Sequence, residues 1–253
     1  VAPVSRVALI RWAVLAVLVG ALELATRTGA VDSYTMIPPS AMAAALWDIL
    51  VSGRMTGAIL YTLQNVAAAF VISVAVGFAI GAVLHRLPRL RRAAEPLLAS
   101  YYAVPVFIFY PLFIVMFGLN AWPLIAVGFL FAVAAVVINT MNGFDRVRSV
   151  LGKTARALRM SRTQETFLIT LPAAAPYLFT GLKLAVAYAF IGVVAGEFIL
   201  SGAGLGYEIA FAYNNFDNRT MYGLMLFLLI FVTVLNMSLH VVERRLHARR
   251  QGR

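Results

Sequence analysis

The sequence contains no cysteine. A disulfide framework, a thiolate metal site and a cysteine nucleophile are therefore excluded. Charge is scarce as well, at 12% of residues, against roughly a quarter in an ordinary soluble domain. Asp and Glu together number ten, and they form no paired-carboxylate motif. The histidines are three, His85, His240 and His247. They stand beside arginines near the ends of apolar stretches, without HExxH or any other ligand spacing. No GxxxxGK[ST] phosphate loop and no nucleophile elbow occur. A membrane-embedded enzyme is one rival reading, and the chain lacks the groups for it.

What the chain has in quantity is long apolar runs, with 62% of its residues hydrophobic. A helix that crosses the hydrocarbon needs about 20 mostly apolar residues. Six segments meet that length, near 7–25, 57–84, 97–118, 122–142, 173–198 and 220–242. The expected fold is all-α and integral to the membrane, with about six transmembrane helices. Residues 1–56 read as a first membrane helix and an outer interfacial helix, 57–245 as the transmembrane core with a helix–turn–helix loop at 145–172 between spans four and five, and 246–253 as a basic tail. Arg6 and Arg11 ahead of WAVLAVLVGALELA fit either a signal peptide or an uncleaved first helix.

The formal charge of +11 is distributed unevenly. Seventeen Lys and Arg residues fall at the N-terminus, in 85–96, in 143–172 and in the tail. Three, Arg27, Arg54 and Arg219, fall in the alternate connections, and Lys183 lies inside a span. By the positive-inside rule both termini and the 143–172 connection are expected in the cytoplasm. The excess charge then faces anionic lipid headgroups, and no nucleic-acid partner is needed to explain it.

Ala69, Ser73, Gly77 and Gly81 recur every four residues and predict a small-residue face for close helix packing. In MIPPSAMAAALWDIL, Pro38 and Pro39 stop the extended chain, and Ser40 is the expected cap of a short interfacial helix. In KTARALRMSRTQETFLITLP (153–172), Val150, Leu151, Thr154, Ala155 and Leu158 share one helical face. Gly152, Lys153, Arg156 and Arg159 take the other. Ser161 and Gln164 form a capping box that starts a second short helix through Ile169, and Pro172 and Pro176 open the fifth span. This helix–turn–helix either transmits motion from a cytoplasmic partner or rests on lipid headgroups.

The same segment resembles the cytoplasmic "EAA" loop of ATP-binding-cassette importer permeases, the binding-protein-dependent inner-membrane component family. Ala155, Ile169, Leu171 and Pro172 match the loop pattern. Lys153 stands where the family has Glu, Thr154 where it has Ala, and Arg159 where it has Gly. The resemblance runs over roughly residues 35–250 and is to the nitrate/sulfonate/taurine type. YAVPVFIFYPLFIVMFGL, INTMNGFDRV, GLKLAVAYAFIGVVAGEF and SGAGLGYEI carry the rest of it.

The resemblance implies a permease in a bacterial inner membrane, paired with a second permease copy, as homodimer or heterodimer. It implies two cytoplasmic ATPase subunits and an extracytoplasmic solute-binding protein. ATP and Mg would be bound by the partner and no cofactor by this chain. It also implies that Lys153, Thr154, Ala155, Leu158, Arg159, Ser161, Ile169, Leu171 and Pro172 meet the ATPase. Polar residues within spans are candidates for a solute path: Asn65, Tyr102, Asn139, Lys183, Tyr188 and Glu197. Lys183 either attracts an anion or snorkels toward the cytoplasmic interface. Glu197 either meets solute, works in a gate or anchors a loop. Gly202, Gly204 and Gly206 read as a tight turn. The remaining rivals are a purely structural membrane subunit and a secondary transporter or channel, and for the latter more intramembrane carboxylates or broken helices are expected.

Overall fold

The computed structural model describes residues 6–32, 34–147 and 149–251, and those residues form an all-helical bundle. In hydrocarbon no water satisfies the backbone, so each spanning segment must bond its own N–H and C=O groups as a helix. Helices long and apolar enough to cross are α1 (Arg6–Arg27), α3 (Thr56–Arg86), α6 (Ala121–Asp145), α9 (Leu171–Leu200) and α11 (Asn218–Gln251). Between them lie α2 (Pro39–Ser52), α4 (Pro88–Ser100), α5 (Tyr110–Phe117), α7 (Ser149–Ala157), α8 (Arg162–Glu165) and α10 (Leu205–Asn214). Among the described residues, helices long and apolar enough to cross number five, or six if the bent α4–α5 pair is counted as one.

Helix α6 is central. Of its apolar window 61% is buried, against 28% for α3, 6% for α11 and none for α1. The small-residue face of α3 explains the closeness. Ala69, Ser73, Gly77 and Gly81 are all buried. A Cβ on Gly77 would stand 2.7 Å from the Cβ of Val136, and one on Gly81 would stand 2.7 Å from that of Thr140. On the other side of α6, a Cβ on Gly192 of α9 would stand 2.8 Å from the Cα of Gly128. The three helices enclose a core of Val66, Ala69, Ile125, Ala132, Val136, Ala185, Ala189, Phe190 and Val193.

The expected continuous third span at 97–118 is not formed. Helix α4 begins much earlier, at Pro88, and ends at Ser100. Two 3₁₀ turns follow, and α5 then leaves at 92° to α4. The cause is Pro105, whose ring disfavours helical geometry in the residue before it. Val104 is accordingly extended, at φ −80° and ψ 122°. Hydropathy registers one apolar run where proline divides it.

Two helix starts also differ from expectation. Ser40 does not cap α2, which begins one residue earlier with Pro39 at its first position. Instead the Ser40 N–H donates to Glu23 Oε2 at 2.9 Å and its hydroxyl donates to Oε1 at 2.6 Å. A carboxylate from α1 therefore serves the start of α2. The second short helix after residue 161 is not separate from the fifth span. Residues 162–199 run on as one 38-residue helix through a π turn at Thr166–Thr170. Pro172 cannot donate to the carbonyl of Leu168, and the wider turn just before it accommodates that loss.

Candidate functional site

The segment 149–172 lies at the end of the bundle that carries most of the arginines. Asp145 closes α6 there, and a carboxylate at a helix C-terminus is unfavourable unless paired. Arg91 Nη1 donates to both of its oxygens, at 2.9 and 2.8 Å, and His85 Nδ1 lies 3.0 Å from Oδ1. Arg91 also donates to Glu95 at 2.9 Å. The ends of α3, α4 and α6 are thus joined where the chain leaves for α7. The Arg146 guanidinium lies over the Tyr177 ring at 5.8 Å, a cation–π contact that ties this exit to α9.

Helix α7 ends in a left-handed turn. The Met160 N–H donates to the Ala155 carbonyl at 3.0 Å, and Arg159 between them has φ 52°. This is the Schellman arrangement, in which the left-handed position is usually glycine. Both halves of the Ser161–Gln164 capping box are present, at 2.9 and 3.2 Å. Ala155 is buried, at 1% exposure. The apolar face grouped around it by periodicity is not buried as a whole. Val150 and Leu158 are 62% and 68% exposed, and Phe167 and Leu168 are 64% and 66% exposed. Lys153, Thr154, Arg159, Ser161 and Pro172 are exposed, while Ile169 and Leu171 are half-buried.

The six solute-path candidates do not form one constellation. Tyr102 and Tyr188 meet with ring centroids 5.5 Å apart. Asn139 donates to the Ala135 carbonyl at 2.8 Å, on its own helix. Asn65 is buried, and its Nδ2 has no partner among the described residues. Lys183 Nζ pairs with Glu243 Oε2 of α11 at 2.9 Å. Hydrogen bonding from Lys183 holds the Glu243 carboxyl below the usual range. Two cavities of about 350 Å³ each lie at the opposite end and are lined by other residues. One is bordered by Tyr61, Tyr110, Asn120 and Ser201. The other is bordered by Asp48, Arg54, Asp217 and Arg219.

Glu197 is fully buried at that opposite end. Its Oε2 accepts from Thr62 Oγ1 at 2.8 Å and from the Gly206 N–H at 3.0 Å. Thr62 Oγ1 in turn accepts from the Leu205 N–H at 2.8 Å. The glycine-rich stretch is therefore more than a turn, because α10 starts directly on it. Thr62 is absent from the candidates above. Its signal is position, since it stands seven residues before Ala69 on the small-residue face of α3.

The family model described as "Binding-protein-dependent transport system inner membrane component" matches residues 72–252. The nitrate import permease protein NrtB of Leptolyngbya laminosa is 29% identical over 181 residues, 68% of this chain and 65% of that protein. The bicarbonate transport system permease protein CmpB of Synechococcus elongatus is 32% identical over 60% of this chain and 55% of its own length. The match thus spans less than two thirds of these relatives. The aliphatic sulfonates permease protein SsuC of Bacillus subtilis is 27% identical over 85% of this chain and 78% of its own. A chain of the MetNI methionine transporter, solved in inward-facing conformations, superposes with a TM-score of 0.66. It covers 78% of this chain at 17% identity, which shows the fold.

Proposed function

Because the chain belongs to the binding-protein-dependent transport system inner membrane component family, we propose that it is the membrane-spanning subunit of an ATP-driven importer. Its solute is a small anion, such as nitrate, bicarbonate or a sulfonate, as the names of its relatives suggest. The arginine-rich end and both termini face the cytoplasm of a bacterium, in keeping with the charge distribution. A second permease copy completes the pore. ATP and Mg are bound by separate ATPase subunits, and a solute-binding protein docks at the opposite end. The chain itself performs no hydrolysis.

The observation that carries this reading is the surface of 149–172. Val150, Leu158, Phe167 and Leu168 stand exposed in the same segment as the exposed Lys153, Arg159 and Arg162. In 149–172 four basic residues, Lys153, Arg156, Arg159 and Arg162, stand against one acidic residue, Glu165. Each such apolar side chain gains about 1.5–3 kcal/mol on full burial. The patch sits on a segment continuous with α9, so a partner that seats it takes hold of a spanning helix. Its charge requires an ATPase socket with an acidic rim, and Lys153 in the family's Glu position reverses the contact expected there. ATP-driven closure of the ATPase pair then shifts the permease between inward- and outward-facing states through differential contacts.

Co-expression with its genomic ATPase neighbour tests the reading. The two are expected to purify together in mild detergent, and Leu158→Asp is expected to separate them without unfolding the permease. A wild-type permease that retains no ATPase would refute the assignment.

A further inference from the structure

We propose that Glu197 and Thr62 clamp α10 to α9, so that the outer end of the permease moves as one body with the segment that meets the ATPase. This inference rests on the importer reading above and assigns Glu197 a positioning role in transport.

The first N–H groups of a helix need partners from elsewhere. In α10 the residue before the helix is Gly204, which has no side chain to offer, so capping comes from two other helices. The Leu205 N–H is taken by Thr62 of α3 and the Gly206 N–H by Glu197 of α9. Thr62, Glu197 and Leu205 are each 0% exposed, so none of these bonds exchanges with solvent. The carboxylate also lies where the helix dipole favours negative charge.

The packing admits no slack. A Cβ on Gly204, which has φ 102°, would collide with the Glu197 carboxyl. A Cβ on Gly206 would collide with the Val194 carbonyl and stand 2.7 Å from Glu197 Cβ. Beyond the clamp, α10 is bound into a cluster with α2 and α11 through Ile49, Ile209, Ala212, Met221 and Leu224. Phe211 of α10 stays exposed at 53%, and the Tyr207 ring one turn before it lies on the same side with centroids 6.0 Å apart. Glu197 Oε1 has no partner among the described residues. A buried carboxylate left half-satisfied is costly, and a cap alone needs no charge.

Glu197 sits near the far end of the 38-residue helix that starts at Arg162 in the coupling segment. At 1.5 Å per residue, that helix is about 57 Å long. Displacement of its cytoplasmic end therefore reaches the clamp, and docking on the aromatic side of α10 reaches the ATPase by the same route.

The test uses the permease with its ATPase and binding protein in liposomes, comparing Thr62→Val, Glu197→Ala and Glu197→Gln. The chain has no cysteine, so spin labels at Ile191→Cys and Asn214→Cys, carried by permease diluted with unlabelled copies and assembled with cysteine-free partners, report the α9–α10 distance within one chain. In the wild type that distance is expected to stay narrow and equal without nucleotide and with ATP–vanadate. In Thr62→Val and Glu197→Ala it is expected to broaden. Stimulation of hydrolysis by the binding protein is expected to fall about tenfold, with basal hydrolysis within about twofold of wild type. Glu197→Gln is expected to restore stimulation, because its amide oxygen accepts both bonds. Normal stimulation and a narrow distance in both disabled variants would overturn the clamp. So would loss of basal hydrolysis in all three variants, which marks a folding requirement only. If the wild-type permease binds no ATPase, the importer reading fails, while the label distances on the permease alone still decide whether the clamp exists.

Discussion

Met160 donates its backbone N–H to the Ala155 carbonyl at 3.0 Å, and the chain makes that turn with Arg159 at φ 52°. A non-glycine residue held there costs roughly 1–2 kcal/mol. Arg159→Gly relieves that strain but adds freedom to the unfolded chain, costing about 0.5–1 kcal/mol. The expected net gain is about 0.5–1 kcal/mol, or a melting temperature higher by about 1–4 °C in detergent. Arg159→Val is expected to lower it, since a β-branched residue tolerates positive φ poorly.

Gly77 on α3 leaves no room for a side chain against Val136. Gly77→Ala is expected to cost about 1–3 kcal/mol through overpacking. A Cβ on Gly20 of the exposed α1 would meet nothing within 4 Å. Gly20→Ala is expected to be neutral or slightly stabilising. Thermal unfolding of the two variants side by side checks the close approach of α3 and α6.

Acid is expected to loosen two helix attachments. Hydrogen bonds from Thr220 hold the Asp217 carboxyl below the usual range, and Lys183 does the same for Glu243. A depressed folded value means that the stabilisation is complete above the unfolded value and is lost as pH falls through the folded one. The loss therefore begins below about pH 4–4.5, where unfolded carboxyls take up protons. Asp217→Asn keeps a side-chain oxygen for the Thr220 N–H and is expected to flatten this acid limb. Melting temperature from pH 3 to 7 is the readout, and an unchanged slope would contradict the assignment.

Much of this architecture is legible in the sequence. The spans follow from apolar length, and the packing face of α3 follows from Ala69, Ser73, Gly77 and Gly81. The capping box at Ser161 is legible because it depends on neighbours in sequence alone. The break near Pro105 is not, since average hydropathy does not register how one proline ring holds Val104 extended. Ser40 reads as a cap because its actual partner, Glu23, lies 17 residues away. Thr62 escapes notice for the same reason, since a lone hydroxyl in an apolar helix acquires meaning only when Glu197 and α10 are folded against it. The exposure of Leu158 is equally hidden, because periodicity groups apolar residues without saying what covers them.

The broken α4–α5 pair is a feature that a secondary transporter would also carry. The family match and the exposed patch of 149–172 favour the importer, and the patch is what must be tested. The most direct measurement is a photocrosslinker placed at Leu158, with another at the exposed Leu229 in the middle of α11 as control, in cells expressing the ATPase. Leu158 is expected to capture the ATPase and Leu229 to capture none. Crosslinking of Leu158 to lipid alone would make the segment a surface anchor and contradict the account.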